Sequence, residues 1–260
     1  MIALYALLGF LLGVLINLLA DQLPRWRRVW RVPFCAYCEE PRPAWAWSGT
    51  LAYLRLKPEC QHCGAPISWR HPLVELAMAG LFAFIWSQYG QGGASPLLIP
   101  YSVYSAIFAL IFVIDLEHKL ILRMVMIPAW ILGLLGSLVH PQPRFFCQAL
   151  IGGALGYGLL WLVYQLGVLF VKVMGRRRGK PVNTTAFGFG DVRLGGFIGL
   201  VVGFPNVFHA LFIGILLGGL FAFGYLFVVA VILRRYKRYT AIPYGPFLIL
   251  GAMWVMFFGV

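Results

Sequence analysis

Eight apolar segments, separated by connections that hold almost all the charge, constrain this chain more than any other feature of its sequence. They lie at 1–20, 73–89, 96–115, 122–139, 148–172, 190–205, 207–233 and 243–260. Crossing the hydrocarbon core of a bilayer takes about 20 helical residues. Most of the segments meet that length, and 73–89 and 190–205 fall short of it. Glycines at 188, 190, 195, 196, 199 and 203 make the sixth segment the candidate for a broken or tilted helix, and Pro205-Asn206 a candidate re-entrant turn. Only 11% of the 260 residues are charged and 61% are hydrophobic, too little charge to cover a soluble domain. The expected fold class is therefore an all-α polytopic membrane protein with about eight transmembrane helices and a lipid bilayer as its surroundings.

The net charge of +13 would suggest nucleic acid as the partner of a soluble protein. Here the basic residues have another use, so no nucleic-acid partner is expected. Of the 21 Lys and Arg residues, all but Arg144 and Arg193 fall in four connections. The segment 21–72 carries Arg25, Arg27, Arg28, Arg31, Arg42, Arg55, Lys57 and Arg70. Lys119 and Arg123 follow the third apolar segment. Lys172, Arg176, Arg177, Arg178 and Lys180 follow the fifth, and Arg234, Arg235, Lys237 and Arg238 the seventh. The positive-inside rule makes these four connections cytoplasmic and turns both termini outward. The first segment lacks the basic start and small-x-small cleavage pattern of a signal peptide. No repeat of fixed period runs through the chain. The organisation expected is a first transmembrane helix at 1–20, a cytoplasmic module at 21–72 and a transmembrane domain at 73–260.

The module 21–72 is too small to bury a core unaided and needs a staple. Cys35-x-x-Cys38 and Cys60-x-x-Cys63, separated by 21 residues, have the spacing of a four-cysteine zinc ribbon. Each pair places two thiolates on one knuckle, and two knuckles complete a tetrahedron with Zn–S bonds of about 2.3 Å. The competing arrangement, two disulfides, requires the module to face outward, because cytoplasmic thiols stay reduced. Four cysteines leave no open position, so the zinc is read as structural. Cys147, at the edge of an apolar segment, reads as a small buried hydrophobe.

Eight acidic residues are present, and most lie in connections beside arginines. Two differ. Asp115 ends the apolar run that begins at Ile107, and Asp191 follows Gly188-Phe189-Gly190 at the start of another apolar segment. A carboxylate at membrane depth is expensive to keep and marks a functional site. Two carboxyls in close approach share one proton, so one activates water while the other polarises a peptide carbonyl. Gly188 and Gly190, without Cβ, would let a substrate backbone approach. The plainer reading is that each aspartate pairs with a neighbouring base such as Lys119 or Arg193.

Taken together, these residues resemble the bacterial prepilin leader peptidases, the bifunctional type IV prepilin peptidase and N-methyltransferase family. The likeness runs through five ordered motifs. They are Leu12-Gly13-Val14-Leu15-Ile16-Asn17 through Leu23-Pro24, and Ile67-Ser68-Trp69-Arg70-His71-Pro72-Leu73-Val74-Glu75-Leu76 after the cysteines. Next come Ile114-Asp115-Leu116-Glu117-His118-Lys119 and Gly188-Phe189-Gly190-Asp191-Val192-Arg193-Leu194. The last is Ile242-Pro243-Tyr244-Gly245-Pro246-Phe247. The chain departs from the family at Ile121-Leu122-Arg123, where an Ile-Pro-Asp turn is usual, and at Arg193, where Lys is frequent.

The resemblance implies an aspartic endopeptidase of the bacterial inner membrane with Asp115 and Asp191 as the catalytic pair. Its substrates would be prepilins or pseudopilins, cut after a glycine on the cytoplasmic side of their apolar helix. It also implies S-adenosylmethionine-dependent methylation of the new amino terminus, an activity no motif in the residues themselves supports. Glu39, Glu40, Glu59 and Glu75 are candidate attractive partners for a basic leader, and Glu75 is a candidate for the methyl-donor site by position. The rival expectations are an aspartic protease that does not methylate, and a non-enzymatic zinc-ribbon scaffold or transporter.

Overall fold

A computed structural model describes residues 1–25, 33–35, 37–91, 95–178, 188–229 and 243–259. Arg27, Arg28, Arg31, Lys180, Arg234, Arg235, Lys237, Arg238 and Ile242 lie outside the described residues, as does the stretch of the seventh apolar segment beyond 229. Each of the eight apolar segments is helical: α1 (Ile2–Gln22), α3 (Arg70–Tyr89), α4 (Leu98–His118), α5 (Arg123–Leu138), α6 (Phe145–Arg178), α7 (Phe189–Val202), α8 (Asn206–Phe227) and α9 (Gly245–Phe258). A short ninth helix, α2 (Gly49–Leu54), belongs to the cysteine module. Among the described residues, α1, α4, α8 and the Phe145–Val173 part of α6 are long and apolar enough to cross a membrane by themselves, while α5 and α9 are shorter apolar helices.

The chain divides into two compact units, Met1–Ile114 and Asp115–Val260. In the first, α1 lies against α3. Small residues on α1 make the approach possible: a Cβ on Gly9 would fall 2.6 Å from Phe82 Cβ, and one on Gly13 would fall 2.7 Å from Glu75 Cα. Tyr5 stacks on Phe82 with ring centroids 5.4 Å apart. Water supplies no driving force between helices inside a bilayer, so close packing through small residues must hold them together.

In the second unit the same device joins α6 to α7. Gly152 and Gly156, one turn apart on α6, face Gly199 and Gly195, one turn apart on α7. A Cβ on Gly152 would lie 2.5 Å from the Gly199 carbonyl oxygen, and one on Gly156 would strike the Gly195 carbonyl oxygen. The sixth apolar segment is therefore neither broken nor sharply bent. Its internal glycines give up helix propensity to bring two backbones into contact, and the helix runs unbroken from Phe189 until Gly203, with φ of 70°, ends it. A short turn, Gly203–Pro205, leads into α8. α8 and α9 repeat the arrangement, with a Cβ on Gly214 falling 2.8 Å from Leu248 Cα. On α5, the Trp130 Nε1–H donates to the Arg193 carbonyl at 3.2 Å, and its ring lies against Gly196. α7 is thus clamped on two sides just beyond Asp191.

Candidate active site and metal centre

Asp115 stands in the last turn of α4. Lys119 closes that helix from the left-handed region, with φ of 53° and its N–H donating to the Asp115 carbonyl at 2.9 Å. The Asp115 side chain is buried, 5% exposed, and its Oδ2 has no hydrogen-bond partner among the described residues. Asp191 occupies the third position of α7. Its Oδ2 accepts from the Gly188 N–H at 3.3 Å, and its own N–H donates to the Gly188 carbonyl at 3.1 Å. That closed ring is the backbone half of a capping box, and it fixes the carboxyl at the positive end of the helix. Ile121, which lies against both Gly190 and Gly245, brings the Asp191 end of α7 and Asp115 to the same part of the unit.

Two further parts of the unit complete the site. α9 begins beside Asp115: a Cβ on Gly245 would fall 2.5 Å from Asp115 Oδ2. Two helices thus point their N-terminal ends at the carboxyl pair, a field that favours negative charge there. The connection between α4 and α5 contributes Ile121, whose Cβ would lie 2.7 Å from a Cβ on Gly190 and whose Cδ1 lies 3.5 Å from the Gly245 position. At Gly190 the missing side chain therefore makes room for Ile121, whereas Gly188 is exposed beside Asp191. Tyr244, beside Gly245, donates its hydroxyl to the Ile215 carbonyl at 3.2 Å.

Neither Asp115 nor Asp191 has an ion pair among the described residues. The Arg193 guanidinium, expected as a possible partner of Asp191, instead lies 4.9 Å above the Phe189 ring. Gly245, Ile121 and Tyr244 were not singled out as site residues by the sequence. The available signal was Tyr244-Gly245-Pro246, where a glycine followed by proline opens a helix.

The cysteine module is built from one motif used twice. Pro33-x-Cys35-x-x-Cys38-x-x-Pro41 reappears as Pro58-x-Cys60-x-x-Cys63-x-x-Pro66, a repeat confined to the module. The backbone repeats with it. The Cys35 N–H donates to Glu40 and the Cys60 N–H to Ala65, both at 2.8 Å. Glu39 and Gly64, each following a second cysteine, have φ of 61° and 69°. The bridges Phe34–Pro41 and Glu59–Pro66 correspond as well.

The four sulfurs all lie within 4.8 Å of one another, with Cys35–Cys63 and Cys38–Cys60 at 3.7 Å. The edge of a Zn–S tetrahedron is about 3.8 Å, whereas a disulfide needs about 2.05 Å. Burial raises the pKa of Cys35, but the backbone N–H groups of Cys38 and Tyr37 and the neighbouring thiols bring it down to about 6. At Cys38 the Glu40 N–H favours the thiolate, yet burial and the other three sulfurs push it up to about 12. Four cysteine sulfurs this close could hold a metal ion, and the set fits zinc.

Glu75 is fully buried. Its carboxylate accepts from Ser48 Oγ at 2.7 Å, the Gly49 N–H at 2.8 Å, the Thr50 N–H at 3.0 Å and Asn17 Nδ2 at 3.4 Å. It ties α1 and α3 to the start of α2, so it is not placed to attract a basic leader at the surface.

Family comparison separates two stretches. Residues 102–223 match the type IV leader peptidase family, and residues 7–89 match the bacterial peptidase A24 N-terminal domain. Over these two stretches the chain is similar to the type IV leader peptidase family. Curated relatives align over nearly its whole length. One from Xanthomonas campestris is 28% identical over 96% of this chain and 88% of its own. One from Burkholderia pseudomallei is 26% identical over 97% and 84%, and one from Pseudomonas aeruginosa 26% over 97% and 89%. Each is named prepilin leader peptidase/N-methyltransferase. No solved structure matches. The Asp115 and Asp191 motifs both fall within the leader peptidase match, and all four cysteines fall within the N-terminal domain match.

Proposed function

We propose that this membrane protein removes the leader from prepilins or pseudopilins with Asp115 and Asp191 as its catalytic pair, and then methylates the new amino terminus. The observation that carries the reading is the meeting of two carboxyls at three helix ends, where among the described residues neither has an ion pair. Curated relatives named for both activities support it. The pair holds one proton between them. The ionised carboxylate takes a proton from water as the oxygen attacks the scissile carbonyl, and the protonated carboxyl gives its proton to the carbonyl oxygen. Collapse of the tetrahedral intermediate breaks the C–N bond, with the leaving amine taking up a proton. The exposed Gly188 leaves an open edge beside Asp191 along which an extended substrate backbone can lie.

Both aspartates would face the cytoplasm, following the excess of Lys and Arg in the connections on that side. Cys35, Cys38, Cys60 and Cys63 would hold a structural zinc that shapes the module between α1 and α3. When bound, S-adenosylmethionine supplies a methyl group to the free amine, leaving the thioether and one proton. The test is mass spectrometry of a prepilin incubated with the purified protein, with and without S-adenosylmethionine. Loss of the leader in both samples, with one added methyl mass only in the second, is expected. An intact substrate refutes the peptidase reading, and leader loss without the methyl mass refutes the methyltransferase reading.

A further inference from the structure

Resting on the peptidase reading, we infer that an apolar groove between α5, α6 and α7 receives the apolar helix of the substrate, the part that stays in the bilayer once the leader is cut. The groove is an open cleft of about 620 Å³, lined by Trp130 and Leu134 of α5, Leu150, Ala154 and Tyr157 of α6, and Leu200 of α7. None of these side chains is charged, so the groove suits an apolar occupant.

Two features tie it to the catalytic end of α7. Trp130 lines it at the end nearer Asp191: its indole N–H donates to the Arg193 carbonyl at 3.2 Å, and its ring lies against Gly196. Phe189, Arg193, Gly196 and Leu200 follow one another at helical spacing, so they form a single stripe along α7. The stripe leads from the groove to Phe189, which is 37% exposed and next to Gly188, the open edge beside Asp191. Tyr157 and Tyr164 of α6 follow the same path. Tyr157 meets Trp130 edge-on with ring centroids 6.2 Å apart, and Tyr164 meets Phe189 in the same way at 5.6 Å. A chain laid beside Gly188 therefore has a continuous way into the groove.

The groove is shaped for a helix. Its floor is small: Gly153 and Ala154 are consecutive on α6, and a Cβ on Gly153 would fall 2.9 Å from the Leu200 side chain. Small residues are what this unit uses wherever two helices meet, as at Gly152 and Gly199 or Gly214 and Leu248, because they let a second backbone come close inside a bilayer. Trp130 and Tyr157 add broad apolar surface at the rim. A cut at Asp191 leaves the substrate's apolar helix beginning at that level. Gly196 and Leu200 lie about 8 and 14 Å further along α7, so a helix running beside it brings about the fifth to the ninth residue after the cut to the groove.

The test uses the full-length protein in lipid-containing detergent with a model prepilin. Benzoylphenylalanine is placed at Leu134, at Leu150 or, as a control, at Phe223, which is 70% exposed on α8. The Asp115→Asn background keeps the substrate whole during irradiation, and mass spectrometry locates the crosslinks. Positions 134 and 150, but not 223, are expected to crosslink to about the fifth to the ninth residue after the cut. Ala154→Trp, at an exposed position, fills the groove and is expected to raise KM for the prepilin about tenfold with kcat unchanged. If Ala154→Trp unfolds, the crosslinks decide. Crosslinks only to phospholipid, to a second copy of the chain or to another part of the substrate overturn the groove, as does an unchanged KM in folded Ala154→Trp. Leader removal by the wild type then leaves the peptidase reading standing. A wild type that leaves the prepilin intact removes both.

Discussion

Replacing Gly199 by Ala tests whether the glycine contact between α6 and α7 positions the catalytic aspartate. The new Cβ would overlap the Gly152 carbonyl and approach the Gly153 nitrogen to 2.8 Å. All of these are backbone atoms, so no rotamer change relieves the clash. Ordinary carbon contacts need about 3.5–4.0 Å, which forces the two helices apart by about 1 Å. Overpacking of this kind costs about 1–3 kcal/mol, against a gain of about 1 kcal/mol from replacing a helical glycine by alanine. The net loss is about 0–2 kcal/mol. Asp191 sits eight residues earlier on the same helix, about 12 Å along its axis. A shift of about 1 Å there can lower the rate about a hundredfold.

The assay is leader removal by the purified variant together with thermal unfolding in detergent. Gly158 and Gly167, also on α6, have nothing within 4 Å of where a Cβ would stand. Alanine at either position should preserve the rate and leave stability unchanged or slightly raised. A Gly199→Ala protein that cleaves and melts like Gly158→Ala refutes the reasoning.

Three other outcomes are expected. Metal analysis should find about one zinc per chain, lost in Cys35→Ser and released on acidification as protons displace the metal from the thiolates; metal-free protein with all thiols freely reactive would exclude the site. Glu75→Ala leaves the Gly49 and Thr50 N–H groups and Ser48 Oγ without their acceptor. At about 1–3 kcal/mol for each buried group left unpaired, the module should become sensitive to protease, and unchanged resistance counts against the clamp. Gly245→Val places carbon against Asp115 Oδ2 and should abolish leader removal while the protein still inserts; retained cleavage would separate α9 from the site.

The helices were legible because apolar run length is a local property, and each of the eight segments became a helix. Asp115 and Asp191 stood out because so few acidic residues occur, and these two sit at the ends of apolar runs away from the arginine-rich connection 21–72. The cysteine cluster followed from spacing alone. What the sequence misread depends on long-range contact. The glycines of α7 suggested a break because propensity is local, but the carbonyls of α6 decide their role. Glu75 read as a candidate partner for a basic leader, but Ser48, Gly49 and Asn17, far away in sequence, close around it. Ile121 and Gly245 reach the site only through the packing of α4, α7 and α9, which no spacing encodes.

The central claim is that Asp115 and Asp191 act as one catalytic pair. Leader removal should be measured on a model prepilin with the wild type, Asp115→Asn and Asp191→Asn, each shown to be inserted and zinc-loaded. Loss of either carboxyl is expected to reduce the rate by about 10⁴-fold, with both single variants nearly as inactive as the double. A single variant that still cleaves at close to the wild-type rate contradicts the account.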